Sequence, residues 1–162
     1  MATLEALIGA WDMGYDEYCE AFDGLNDEDL WRRPDPRLLS IGELTGHVAF
    51  HETMMTAGRA ALGSGPLIDE AFEYYTSEIE NPVRLAMGVQ EMRSHLLRHH
   101  QAAKSILTNL DPDSDDKAPE GLVEWPDPTW GNIVKYMVFH VAYHGGQAYN
   151  ARHLMGHTPP DN

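Results

Sequence analysis

The chain has 162 residues, of which 43% are hydrophobic, and its 26 acidic residues against 11 Lys and Arg give a formal net charge of -15. This length favours one domain over residues 1–162, with enough apolar side chains to form a core. The charge disfavours binding to nucleic acid and to anionic membrane surfaces. Cys19 is the only cysteine, which excludes an internal disulfide and a metal site built from several cysteines.

The N-terminal segment does not have the pattern of an export signal. Residues 1–11 are mildly apolar but contain no basic stretch, and Asp12 follows them. No segment approaches the roughly 18 apolar residues that a membrane span needs. We therefore expect a cytoplasmic protein that has no membrane partner.

Two helices are predicted in the first part of the chain. Apolar residues recur at helical spacing over residues 3–22, which predicts the first helix. Gly24 and the acidic run of residues 26–29 follow it, and the segment 30–36, with two prolines in three positions, is predicted to be a connector. Ser40 followed by Glu43 matches a capping box and predicts the start of the second helix. We expect this helix to end at the Gly-Ser-Gly-Pro sequence of residues 63–66.

Two more helices are predicted in the second part. A crossover of uncertain structure over residues 67–80 precedes a third helix, which has Asn81 as its N-cap, Pro82 at its first position and an end near residue 110. A polar, proline-rich loop over residues 111–128 leads to a fourth helix over residues 129–155. No pair of strands is indicated. The predicted fold is therefore all-α, a four-helix bundle with long crossover connections.

Four of the nine histidines form two pairs with the same spacing. His47 and His51 lie on the predicted second helix, and His140 and His144 lie on the fourth. Residues four apart share one face of a helix, and both pairs fall on stripes that should face the bundle interior. A buried ring without a partner costs of order 1–3 kcal/mol, and a shared metal ion would explain why two helices carry such rings. Three imidazoles can bind a metal ion and leave one coordination position open.

Core histidines without a metal ion are the competing interpretation. A single inward-facing histidine is more often a hydrogen-bonded core residue than a ligand, but two pairs on separate stripes favour a metal site. The five other histidines are interpreted as surface or helix-end residues; they are His95, His99, His100, His153 and His157.

Three features of the chain resemble the DinB-like family of metal-binding four-helix bundles, which includes the YfiT-like proteins and thiol-dependent S-transferases. Residues 40–47 (SIGELTGH) are similar to the family's second-helix segment, which ends in a ligand histidine. Residues 140–147 (HVAYHGGQ) are similar to its last-helix signature, His-x-x-x-His followed by x-Gly-Gln. Arg152 and Gly156 fit the tail of that signature, and the resemblance spans nearly the whole chain in element order and length.

The resemblance implies one divalent metal ion, bound by His47, His140 and His144. Such a site binds zinc or nickel more tightly than manganese or ferrous iron, although manganese and iron stay open. His51, one turn beyond His47, is a candidate fourth ligand or a partner of a ligand. Gln147, one turn beyond His144, is a candidate pocket residue.

The family also suggests a function, namely a metal-dependent thiol S-transferase or hydrolase acting on a small molecule. The open position could hold a water molecule whose pKa is lowered towards 7, or a low-molecular-weight thiol cosubstrate bound as thiolate. The thiol chemistry comes from the resemblance alone. The alternatives are a non-enzymatic metal-binding or stress-related protein, and a helical interaction module without metal. A homodimer is plausible for the family.

Overall fold

The computed structural model of the protein describes residues 3–58, 62–63, 65–68, 72–73, 82–110 and 113–158. Over these residues the chain forms five helices and no strand. The helices are α1 (Leu4–Glu20), α2 (Asp27–Trp31), α3 (Ile41–Ala57), α4 (Val89–Leu110) and α5 (Trp130–Leu154). The predicted all-α class is confirmed.

The helices pack mainly as two pairs that meet at α3 and α5. Helix α1 lies along α5, α3 lies along α4, and α3 also contacts α5. The aromatic side chains of α1 are buried in this core, with Trp11, Tyr15 and Tyr18 almost completely shielded from solvent. Nearly every position of α3 is buried, so α3 is the central helix of the bundle.

Helix α2 covers most of the acidic run and the first two residues of the predicted connector, so the connector prediction is wrong at Leu30 and Trp31. Asn26 is the N-cap, and its side-chain oxygen accepts a hydrogen bond from the backbone N–H of Asp29. Acidic residues in the first turn are favoured by the positive end of the helix dipole. The turn is anchored by Trp31, whose Nε1 donates to the carbonyl oxygen of Met87 at 2.7 Å. Pro34 and Pro36 lie after the end of this helix and therefore do not prevent it.

The predicted start of α3 is confirmed. Ser40 and Glu43 form the capping box, with Glu43 N–H donating to the Ser40 hydroxyl at 3.2 Å and Ser40 N–H donating to the Glu43 carboxylate at 2.8 Å. The helix ends at Ala57 rather than at residues 63–66. Gly58 has a φ of 79°, a left-handed conformation that glycine adopts without strain and that terminates a helix.

Helix α4 begins at Val89, seven residues after the predicted first position, and residues 82–88 are irregular. Two side chains from other elements hold this segment. The backbone N–H of Val83 donates to Glu43, and that of Val89 donates to Asp27 at 2.8 Å. The predicted N-cap Asn81 and most of the predicted crossover lie outside the described residues.

Helix α5 agrees with its prediction to within about one residue at each end. Thr129 is the N-cap and accepts a hydrogen bond from the backbone N–H of Asn132. Residues 113–128 form the predicted loop between α4 and α5. In the described part of the chain, no helix combines the length and apolar character required to cross a membrane.

Candidate metal centre

Three buried histidines converge where α3 meets α5. His47 comes from α3, and His140 and His144 come from successive turns of α5. One nitrogen of each ring lies within 4.8 Å of the corresponding nitrogens of the other two. Nε2 of His140 is 3.3 Å from Nε2 of His47. The three predicted ligands therefore form one cluster that could hold a metal ion.

Hydrogen bonds orient two of the three rings. Nδ1–H of His47 donates to the carbonyl oxygen of Phe72 at 2.9 Å, and Nδ1–H of His144 donates to the amide oxygen of Gln147 at 2.7 Å. A neutral imidazole with its proton on Nδ1 carries its lone pair on Nε2. Partners of this kind set the ring orientation and the tautomer of histidines that bind metals.

The close approach of Phe72 depends on Gly46. A Cβ atom at position 46 would lie 2.5 Å from the nearest carbons of the Phe72 ring, which is far inside van der Waals contact. The absence of a side chain there lets residues 72–73 pack directly on α3. Gly46 therefore places the carbonyl group that orients His47.

The spacing of the nitrogens fits a tetrahedral metal site. Two nitrogens that bind one zinc ion at ~2.0–2.1 Å in tetrahedral geometry are about 3.3–3.4 Å apart. The separation between the Nε2 atoms of His47 and His140 is 3.3 Å. Without a metal ion the same contact is a hydrogen bond in which His140 donates to His47. The geometry permits both states, and the donor set is one that zinc and nickel accept.

The electrostatic environment keeps all three rings neutral. Burial, reinforced by neighbouring histidines, lowers the pKa of His47 to about 3 and that of His140 to about 2. Burial also lowers the pKa of His144 to about 4, although the hydrogen bond to Gln147 opposes this shift. Near neutral pH the rings therefore keep the lone pairs that a metal ion needs.

His51 lies beside the cluster, but its donor atom is not part of it. Its ring centroid is 4.4 Å from that of His47. Its Nε2–H donates to the carbonyl oxygen of Glu73 at 2.9 Å, so this nitrogen has no lone pair for a metal ion. Of the two roles expected for His51, this contact favours the one beside a ligand over that of fourth ligand. Gln147 is half-buried and acts on His144 directly.

A second buried polar network, which the sequence pattern does not predict, lies next to the histidine cluster. His100 of α4 is 6% exposed, contrary to its interpretation as a surface residue. Its Nδ1 lies 2.7 Å from Glu52 of α3, and its Nε2 lies 2.8 Å from Asp12 of α1. Asp12 also accepts from Lys104, and Glu52 accepts from the hydroxyl of Tyr15. Burial alone lowers the pKa of His100, but the two carboxylates raise it above its ordinary value.

One signal in the sequence could have placed His100 in the core. It lies on the apolar stripe of α4, four residues after one buried side chain and three before the next. The buried members of that stripe are Met92, Leu96, His100, Ala103 and Leu107. Its partners Asp12 and Glu52 are 88 and 48 residues away, so no local pattern identifies them.

Comparison with known protein families identifies the family of the chain. A family model described as the DinB superfamily matches residues 10–148. The matched range begins within α1, ends within α5 and contains all three converging histidines. The resemblance of the chain to a DinB-like family is thereby confirmed. No curated protein and no solved structure matches the chain.

Proposed function

The chain belongs to the DinB superfamily, and we propose that it is a cytoplasmic, metal-dependent enzyme of the thiol S-transferase or hydrolase type that acts on a small molecule. His47, His140 and His144 hold one divalent metal ion, with zinc or nickel preferred. The proposal depends on one observation above all, the convergence of three neutral imidazoles from two helices.

The donor set explains why catalysis is favoured over a purely structural role. Three protein ligands are typical of catalytic zinc sites, whereas structural sites use four. His51, the nearest candidate for a fourth ligand, has its Nε2 bound to the Glu73 carbonyl. A metal ion with an open position supplies Lewis acidity, which favours the ionised form of a water molecule or a low-molecular-weight thiol.

The protein's own residues orient the candidate ligands and keep them neutral. Phe72 and Gln147 hold the rings of His47 and His144 by their Nδ1–H groups. The burial of all three rings keeps them unprotonated near neutral pH. Such support from neighbouring groups is typically worth 10–100-fold in metal affinity.

Elemental analysis of untagged protein, followed by a turnover screen, tests the proposal. The wild type is expected to bind one equivalent of zinc or nickel and, when loaded, to turn over at least one pair of low-molecular-weight thiol and electrophile, or one hydrolysable ester or amide. His144→Ala should lose both properties. His153→Ala is the matched control, because His153 is an exposed histidine on the same helix.

Each alternative has its own outcome. Stoichiometric metal without turnover by any pair would favour the non-enzymatic metal-binding function. No metal in the wild type, together with melting unaffected by chelator, would favour core histidines without metal. A full equivalent of metal in His144→Ala would refute the ligand assignment.

A further inference from the structure

A small cavity lies between the histidine cluster and the buried network of His100. Its volume is about 10 Å³, and the polar residues that line it are Trp11, Tyr15, His51, Glu52 and His140. A cavity of about 10–15 Å³, measured in this way, accommodates one water molecule when two to four polar groups can bind it. The cavity therefore has the size and lining of a single buried water site.

Among the residues that line the cavity, one buried nitrogen has no hydrogen-bond partner in the described part of the chain. Nε1–H of Trp11 is completely buried and finds no acceptor there. The hydrogen bond of His140 to His47 is through Nε2, which leaves Nδ1 of this ring available to a water molecule in the cavity. An unpaired buried donor is costly, and a water molecule is the usual remedy.

The other two candidate ligands differ from His140 in having a hydrogen-bond partner on Nδ1. His47 and His144 each donate Nδ1–H to a fixed oxygen. Metal-binding histidines almost always do so, to a carboxylate, a carbonyl group or a water molecule. His140 alone lacks such a partner among the described residues, and it lines a cavity that a carboxylate also lines.

Glu52 is that carboxylate, and it retains the capacity to accept another hydrogen bond. It is 3% exposed; Oε1 faces His100 and Oε2 accepts from Tyr15. Each carboxylate oxygen has two lone-pair sites, so both contacts leave acceptor capacity. His100 and Asp12 continue the network to the partly exposed Lys104 at the surface.

We propose that this cavity is a specific water site, in which one water molecule forms hydrogen bonds to Nδ1 of His140 and to Glu52. Nδ1 accepts from the water while Nε2–H of His140 donates to His47, and it donates to the water once a metal ion occupies Nε2. Glu52 is then a positioning residue, which holds the ring of His140 through the water and ties the metal centre to the network of His100. Trp11 supplies a further donor to the same site. The water site stands on the cavity and on the unpaired Nε1–H of Trp11, whereas the positioning role rests on the proposed metal function.

Two variants and a crystal structure test the proposal. Glu52→Gln keeps the shape of the side chain but removes its charge, and Val48→Ile adds a methylene group to another residue that lines the cavity. Zinc affinity, measured by competition with a chromogenic chelator, should fall about tenfold in both. Val134→Ile is the matched control, since Val134 is equally buried but does not line the cavity. Circular dichroism establishes that each variant is folded.

Electron density of the wild type at high resolution should show one ordered water within hydrogen-bond distance of Glu52 and of Nδ1 of His140. A dry cavity would overturn the water site, even in a protein that binds zinc. Unchanged zinc affinity in a folded Glu52→Gln variant would overturn the positioning role. Failure of the wild type to bind zinc would instead count against the proposed function, while the density still decides the water site.

Discussion

At the scale of single residues, the candidate centre is defined by hydrogen bonds that select one nitrogen of each ring. The carbonyl oxygen of Phe72 and the amide oxygen of Gln147 take the Nδ1 protons of His47 and His144. The Glu73 carbonyl takes the Nε2 proton of His51 instead. His47 and His51 lie on the same helical face but are protonated on different nitrogens. Nε2 of His47 therefore carries a lone pair for a metal ion, whereas Nε2 of His51 does not.

Gly46→Ala should weaken metal binding although it adds no group to the site. The new Cβ would meet the Phe72 ring at 2.5 Å, and the displacement of residues 72–73 would take the carbonyl oxygen away from His47. We expect zinc affinity to fall roughly tenfold, as for the loss of other groups that orient a ligand. Competition with a chromogenic chelator measures the change.

Gly9→Ala on α1 is the control for this substitution, because nothing lies within 4 Å of a Cβ at that position. It should leave zinc affinity unchanged and raise stability by up to about 1 kcal/mol, the difference in helix propensity. If Gly46→Ala binds zinc as tightly as the wild type, Phe72 does not orient His47.

At the scale of the elements, Glu43 links three segments that the sequence presents as separate. Its backbone and side chain form the capping box of α3 with Ser40. The same carboxylate pairs with Arg33 of the preceding connector, at 2.5 Å, and accepts from the N–H of Val83 ahead of α4. One buried acid therefore sets where α3 begins and holds the irregular chain that delays α4.

Glu43→Gln should show a pH-dependent loss of stability. Burial alone raises the pKa of Glu43, but the bonds from Arg33, Ser40 and Val83 hold it below its ordinary value of 4.5. The folded state therefore binds fewer protons than the unfolded state. This stabilisation is fully present above the unfolded pKa and is lost as the pH falls through the folded pKa. Urea unfolding at a series of pH values should show the wild type and the variant converging below about pH 4.5.

Ser40→Ala is the companion variant for this measurement. It removes the capping hydroxyl, at a cost of about 1 kcal/mol, without removing a titrating group. Its deficit in unfolding free energy should change little over the same pH range. A deficit of Glu43→Gln that is equally independent of pH would show that the charge of Glu43 is not what stabilises the fold.

At the scale of the whole molecule, the histidine cluster lies where the two helix pairs meet. Helix α1 packs on α5 and α3 packs on α4, while the contact of α3 with α5 joins the pairs. A metal ion bound by His47 of α3 and by His140 and His144 of α5 would fasten this junction. Metal binding and folding should therefore be coupled.

Removal of the metal should lower the melting temperature of the wild type. A ligand at 100 times its dissociation constant adds about 2.7 kcal/mol of stability, which for a domain of this size corresponds to roughly 5–10 °C. Differential scanning calorimetry with zinc and with chelator measures the shift. His144→Ala should melt at the same temperature under both conditions, and His153→Ala should behave as the wild type does. Equal melting of the wild type with and without zinc would argue against a metal that joins α3 to α5.

The parts of the structure that could be predicted depend on contacts within a few residues. The helical period, the capping box of Ser40 and Glu43, and the shared face of His140 and His144 all follow from spacings of three or four residues. Such contacts form whenever the segment is helical, so the sequence was enough to predict the all-α class and the pairing of the histidines.

The parts that could not be predicted depend on residues that are distant in the chain. Helix α4 starts late because Asp27 binds the N–H of Val89, and His100 is buried because Asp12 and Glu52 pair with it across two other helices. The hydrogen bonds that decide which nitrogen of His47 and of His51 is protonated come from carbonyl groups more than 20 residues away. Packing brings these partners together, and a local pattern of residue types carries no information about which distant group will satisfy a buried nitrogen.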